Sequence, residues 1–192
     1  MFNCVIAGVG GQGTVLASKL IAAAAMKKGL AVRTTETIGM AQRGGSVISH
    51  IRIGENLEHI FSPIIPLGQA DAIIAFEPAE AVRQLSFLSN KGRLVVCDMA
   101  VKPVGSAGDA YDGVVMLEFL KDKIAELIII DGAQVMQRCA KALNVALLGA
   151  AAQTGILPFD TKTLEETLTE MIPERFIEIN KTAYELGRSI VK

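Results

Sequence analysis

Phe2-Asn3-Cys4-Val5-Ile6-Ala7-Gly8-Val9-Gly10-Gly11-Gln12-Gly13-Thr14 passes from a short apolar run directly into glycine. The run Phe2 to Ala7 reads as a strand buried on both faces, the kind found in a mostly parallel sheet. Thr14 to Lys28 follows with good helix formers, four alanines at Ala22 to Ala25, two lysines in the last turn and Gly29 as the stop. Between strand and helix, Gly8-Val9-Gly10-Gly11-Gln12-Gly13 matches Gly-x-Gly-x-x-Gly in the context that gives this pattern meaning. Gly8 is expected to permit a tight turn, Gly10 a close approach of backbone to an anion, and Gly13 close packing of helix on sheet. Gly11, Gln12 and Thr14 complete the lip, where free N–H groups and the positive end of the helix dipole form an anion site. A strand-to-helix turn that needs glycine for sterics alone is the competing account of the same residues.

Working outward, Leu30 to Thr35 supplies a second strand, after which a doubly wound sheet inserts a helix before the third. Here Glu36 to Ser46 holds Gly39, Gly44 and Gly45, too much glycine for a helix, and reads as a loop. Val47 to Ile53 and Leu57 to Phe61 flank Gly54-Glu55-Asn56 as the arms of a β-hairpin. Alternation then resumes with a strand at Ala72 to Phe76, a helix from Pro78 to Leu88, a turn at Asn90-Lys91-Gly92 and a strand at Leu94 to Cys97. Met99 to Gly113 gives no periodic signal, and Leu127 to Ile130 is one more buried strand. Helices follow at Ala133 to Ala142, Val145 to Thr154, Lys162 to Met171 entered through Asp160 or Thr161, and from Pro173 onward. In the last, Phe176, Ile179, Ala183, Leu186 and Ile190 fall on one face. The expectation is one α/β domain over residues 1–192: a Rossmann-like three-layer fold, its mostly parallel sheet carrying a β-hairpin insertion, with a helical C-terminal part.

Composition narrows the function classes. Apolar residues make up 51% of the 192, yet stretches such as Val145 to Ala152 are too short to cross a bilayer, and the first residues lack a secretory pattern. A cytoplasmic protein without a membrane span is expected. Nineteen basic against twenty acidic residues give a net charge of −1 with no basic stripe, which argues against nucleic acid as a partner. Cys4, Cys97 and Cys139 are too scattered for disulfides, zinc or an iron–sulfur cluster and read as buried thiols.

A second constellation is Glu36-Thr37-Ile38-Gly39-Met40-Ala41-Gln42-Arg43-Gly44-Gly45-Ser46. Glu36 lies about twenty residues past the last glycine of the turn, where a dinucleotide-binding domain places the acid that holds a ribose. The missing helix after the second strand argues against that use, because the helix walls the adenosine pocket. Arg43 offers a planar fork of donors matched to phosphate or carboxylate, and Gly44, Gly45 and Ser46 allow backbone N–H groups to join it. A surface loop whose arginine pairs with Glu36 or another acid accounts for the same residues equally well. His50 and His59 lack ligand-spaced partners and read as solvated or hydrogen-bonded side chains. Asp98, Asp109, Asp112 and Asp131 read as caps of helices and turns. No catalytic and no metal-ligating residue is assigned.

The wording of Val5 to Gly13, of Glu36 to Ser46 with Met40 in its Gly-Met-Ala-Gln-Arg-Gly-Gly core, and of Ala70-Asp71-Ala72 resembles the gamma-type domain of the 2-oxoacid:ferredoxin oxidoreductases. It is most similar to the beta subunit of the indolepyruvate branch, and the likeness runs over essentially the whole chain. The resemblance implies a subunit, inactive alone, of a complex that decarboxylates a 2-oxoacid to an acyl-coenzyme A and passes electrons to ferredoxin. It implies that thiamine diphosphate, magnesium and iron–sulfur clusters sit on a larger partner subunit. It maps Gly10, Gln12, Gly13 and Arg43 to Ser46 to the surface that meets the thiamine site and coenzyme A. Alternatives are the gamma subunit of a pyruvate or 2-oxoglutarate enzyme, or a stand-alone NAD(P)- or coenzyme A-binding module.

Overall fold

The opening run forms β1 (Phe2–Val9), and its side chains divide between two cores: Cys4 and Ile6 point to one face, Val5 and Ala7 to the other. A strand covered on both faces needs no polar alternation, hence its apolar sequence. In the computed structural model, which describes residues 1–39, 45–101 and 111–191, β1 lies third in a six-stranded sheet. The sheet runs β2 (Ala31–Ile38), β3 (Ser46–Gly54), β1, β4 (Ala70–Ala75), β5 (Leu88–Cys97), β6 (Leu127–Ile130). β1, β4, β5 and β6 pair in parallel, while β3 runs antiparallel between β1 and β2.

Helices cover both faces. On one lie α1 (Thr14–Lys27), α4 (Gly132–Cys139), α5 (Leu143–Gln153), α6 (Thr161–Met171) and α7 (Ile177–Ile190). On the other lie α2 (Pro78–Gln84) and α3 (Gly113–Lys123). This is the three-layer, mostly parallel arrangement expected, with the helices of the C-terminal part gathered on one side. Among the described residues no helix is long and apolar enough to cross a membrane.

The hairpin exists but not where the sequence placed it. β3 pairs along its length with β1 on one edge and β2 on the other, from Val9↔Ser46 to Phe2↔Ile53 and from Ile38↔Val47 to Ala31↔Gly54. Both edges of β3 are occupied, so Leu57 to Phe61 has no strand to join, and Leu57–His59 forms a single 3₁₀ turn. The antiparallel β2–β3 pair also explains the absent helix, since only a parallel connection needs a crossover. Glu36 to Ile38 extend β2 and Ser46 opens β3, leaving a shorter connection than the expected loop.

Asn90-Lys91-Gly92 lies inside β5, where the pairing jumps from Ala70↔Leu88 to Ala72↔Arg93. A Cβ on Gly92 would stand 2.7 Å from the Ala70 carbonyl oxygen, so its turn-like composition marks a bulge. The helix expected to reach Leu88 ends at Gln84, and a 3₁₀ turn over Leu85–Phe87 leads into β5. The silent middle of the sequence contains α3, capped by Asp112, whose Oδ1 accepts from Val114 N–H at 2.8 Å. Asp131 caps α4, accepting from Gln134 N–H at 2.8 Å, and Asp98 accepts from Gly132 N–H at 2.8 Å, as read. Asp109 lies outside the described residues.

α5 is buried from Asn144 to Ala152, the pattern of a helix surrounded by protein. α7 crosses it with Ala183, Tyr184, Leu186 and Gly187 inward. At this crossing a Cβ on Gly149 would overlap the Tyr184 carbonyl oxygen, and one on Gly187 the Ala146 carbonyl oxygen. Glycine there lets two backbones touch. Phe176 and Ile179 stay exposed, contrary to the single-face reading: Phe176 belongs to a separate 3₁₀ turn over Glu174–Phe176, and Ile179, although in phase with Ala183 and Leu186, lies in the first turn of α7.

His50 is buried on β3, its ring edge-on to Phe87 at 5.1 Å, and its Nδ1 accepts from Ile65 N–H at 3.4 Å. Burial disfavours the imidazolium and lowers its pKa below the usual 6.5. The folded chain therefore binds fewer protons here than the unfolded chain, and stability rises with pH. The contribution is present above about pH 6.5 and is lost as pH falls toward the lower folded value. His50→Leu should flatten the fall of Tm between pH 7 and pH 5 in thermal melts; an unchanged slope would remove His50 from that role. His59 is exposed in the 3₁₀ turn.

Candidate functional site

β1 and β4 are parallel neighbours whose following helices leave to opposite faces, α1 to one and α2 to the other. A crevice opens outside the carboxyl ends of such a strand pair, and ligands of open α/β sheets bind there. The glycine turn forms one lip. Its left-handed positions are Gly11 (φ 97°) and Gly13 (φ 83°), not Gly8. Gly8 belongs to β1 and is required by space: a Cβ would stand 2.7 Å from Gln12 Oε1, 2.7 Å from Thr14 Cγ2 and 3.1 Å from Phe76 Cβ. Gln12 Oε1 accepts from Val9 N–H at 2.8 Å and braces the turn.

Gly13 precedes α1, and Asn144 at the start of α5 packs against it, its Nδ2 donating to the Gly13 carbonyl at 3.5 Å. No side chain caps α1 and no acid stands in its first turn, which opens with the buried Thr14. The first intrahelical bond is Ala17 N–H to the Gly13 carbonyl, so the amides of Thr14 to Leu16 have no helical acceptor and keep their affinity for an anion, while Gln12 N–H is engaged with the Val9 carbonyl at 3.1 Å.

The second glycine motif meets the first. Gly10 N–H donates to the Gly45 carbonyl at 2.9 Å, and Ser46 stands opposite Val9 in the β1–β3 ladder. Gly8, Gly10, Gln12, Gly13, Thr14, Gly45 and Ser46 thus gather at the end of β1. The Gly10 amide, engaged with Gly45, is not free for a ligand. Met40, Arg43 and Gly44 lie outside the described residues. Glu36 is not brought in: it sits exposed on β2, opposite Ser49 of β3, at the sheet edge. Strands are spaced about 4.8 Å, so two intervals hold it roughly 10 Å from β1, where a dinucleotide fold would have β2 adjacent.

The far lip comes from residues the sequence reading passed over. Glu77, at the end of β4, accepts from Glu80 N–H at 2.9 Å through Oε1 and so caps α2. Its Oε2 accepts from Val101 N–H at 3.3 Å and from the Tyr111 hydroxyl. Glu80 Oε2 accepts from Ser46 Oγ at 2.5 Å, and its Oε1 pairs with Arg83 at 3.1 Å. Burial raises the Glu80 pKa, with the like charge of Glu77 adding to it while Ser46 and Arg83 oppose it. Burial and the bond to Glu77 raise the Tyr111 phenol as well. The available signal was positional: an acid followed by proline directly after an apolar strand stands where the glycine turn stands after β1.

Beside the turn, Gly11, Gln12, Met99, Met136, Lys141 and Leu143 line a cavity of about 350 Å³. A wider hollow of about 590 Å³ at Met26, Leu30 and Leu57 lies at the other end of α1, away from these groups. Among the described residues no three His, Cys, Asp or Glu side chains converge as metal ligands, and the three cysteines are buried and unpaired. Cys4 is pushed up to about 12 and Cys97 to about 11, chiefly by burial. Buried thiols held protonated and apart from one another do not fit an iron–sulfur cluster.

Residues 3–190 match the family model described as pyruvate ferredoxin/flavodoxin oxidoreductase. The chain belongs to that family. The indolepyruvate oxidoreductase subunit IorB of Archaeoglobus fulgidus is 37% identical over 191 residues, covering 96% of this chain and 92% of that one. Its counterpart in Methanothermobacter thermautotrophicus is 35% identical over 191 residues, covering 97% and 95%. The crystal structure of pyruvate oxidoreductase subunit PORC from Thermotoga maritima superposes with a TM-score of 0.70 at 24% identity, over 100% of this chain and 97% of that one, and shares the fold.

Proposed function

We propose that this chain is one gamma-type domain, acting in the cytoplasm as the smaller subunit of an indolepyruvate or aryl-pyruvate:ferredoxin oxidoreductase. Its crevice faces coenzyme A and the subunit that holds thiamine diphosphate, magnesium and the iron–sulfur clusters. The observation that carries this reading is the Gly10–Gly45 bond, which joins the two glycine motifs beside the uncapped start of α1. The uncapped helix start suits a phosphate of coenzyme A. The two similar chains named above are called indolepyruvate oxidoreductase subunits, which supports a partner that supplies the redox chemistry. A stand-alone NAD(P) enzyme is disfavoured because β3 occupies the place where β2 would wall an adenosine pocket.

In this reading Arg43 holds an anionic group of coenzyme A or an acid of the partner. A hydrogen bond to a charged group contributes about 1.5–3 kcal/mol, so Arg43→Ala should weaken the interaction about ten- to a hundred-fold. Arg43→Lys keeps the charge without the planar fork and restores only part of it. In the reconstituted complex, a raised KM for coenzyme A identifies the ligand, and lost co-elution identifies the interface. Unchanged KM and unchanged assembly would make the Arg43 loop a structural turn.

A further inference from the structure

We propose that Glu77 and Glu80 are positioning residues that lock the two rims of the crevice to each other, so that Gly45–Ser46 on one side and Val101 with Tyr111 on the other present a single surface. The inference rests on the reading that this crevice meets coenzyme A and the partner. Glu77 and Glu80 are 1% and 2% exposed, and both carboxylates reach beyond their own helix. One oxygen of Glu77 receives both Val101 N–H and the Tyr111 hydroxyl, tying together two points ten residues apart in the chain. Its other oxygen caps α2 at Glu80 N–H, and the Glu80 side chain takes the Ser46 hydroxyl at 2.5 Å. From Ser46 the path continues through the Gly45 carbonyl to Gly10 N–H on the glycine turn.

Burying two carboxylates beside each other costs desolvation and repulsion, and an ordinary cap needs neither, because serine, threonine, asparagine or aspartate would serve α2. The length of the two glutamates is used to reach other segments. Neither touches a reacting atom in this account; each acts through the backbone it holds.

Two mild substitutions test the coupling. Tyr111→Phe removes one hydroxyl from Glu77, and Ser46→Ala removes one from Glu80. By hydrogen exchange on the free chain, Tyr111→Phe should speed exchange about tenfold at the Val101 amide and also at the Gly10 amide, with Ser46→Ala doing the same in reverse. In the reconstituted complex each should raise the KM for coenzyme A by about three- to tenfold with kcat within about twofold, and the double variant should fall well short of the product of the two. Exchange changes confined to the substituted segment, or KM effects that multiply independently, would overturn the proposal. If the unsubstituted complex fails to turn over a 2-oxoacid, the functional reading falls, and the exchange experiment still decides whether the rims are coupled.

Discussion

Gly187→Ala should unfold this chain at a markedly lower temperature than the native sequence, although alanine is the better helix former. The propensity gain is about 1 kcal/mol. Against it stands a methyl group driven into the Ala146 carbonyl oxygen, which is backbone of α5 and cannot rotate away. Overpacking costs about 1–3 kcal/mol where side chains can adjust, and here two helices must separate, so a loss of about 3 kcal/mol or more is expected. For a chain of this size that is roughly 6–12 °C in Tm. Gly149→Ala, aimed at the Tyr184 carbonyl oxygen, should behave alike. Gly29→Ala is the control: nothing lies within 4 Å of its added Cβ, and it pays only for its positive φ, about 1–2 kcal/mol. Calorimetry that found Gly187→Ala as stable as the native chain would refute the backbone contact between α5 and α7.

Purified alone, the chain should show no detectable oxidation of indolepyruvate or any other 2-oxoacid with a viologen or ferredoxin acceptor. Carbanion and one-electron chemistry of this kind is carried by cofactors, and the described residues include no converging set of metal or cluster ligands. Adding the larger subunit should bring activity from background to full turnover, with coenzyme A required. Robust turnover by the chain alone, free of added metal and thiamine diphosphate, would end the subunit reading.

The sequence disclosed what depends on neighbours in the chain. Apolar runs without alternation marked β1, β4 and β6 because strands covered on both faces need none. Asp131 and Asp160 stood before expected helices because capping is a local bond between a side chain and the next turn, whereas α3 went unread behind Asp112. What depends on distant neighbours was silent or misleading. The apolar stretch after Gly54 resembled a hairpin arm, and only the occupation of both β3 edges denied it a partner. Gly92 resembled a turn because a bulge and a turn ask the same of glycine. Gly8 was given a conformational role when the demand on it comes from Gln12, Thr14 and Phe76. At the site, the glycine turn was legible as a contiguous motif. Glu77 and Glu80 were not, since their meaning lies in bonds to Ser46, Val101 and Tyr111, far away in sequence.

The burial of all three cysteines makes the native chain a quiet background for thiol chemistry. Labelling reagents attack the thiolate, and Cys4 and Cys97, with pKa values near 12 and 11, hold almost none at neutral pH even if a reagent could reach them. One cysteine introduced at an exposed position such as Lys91 would therefore take a fluorophore selectively without first removing the others. A dye on this chain and an acceptor on the proposed larger subunit could then follow assembly as distance, in real time and without turnover.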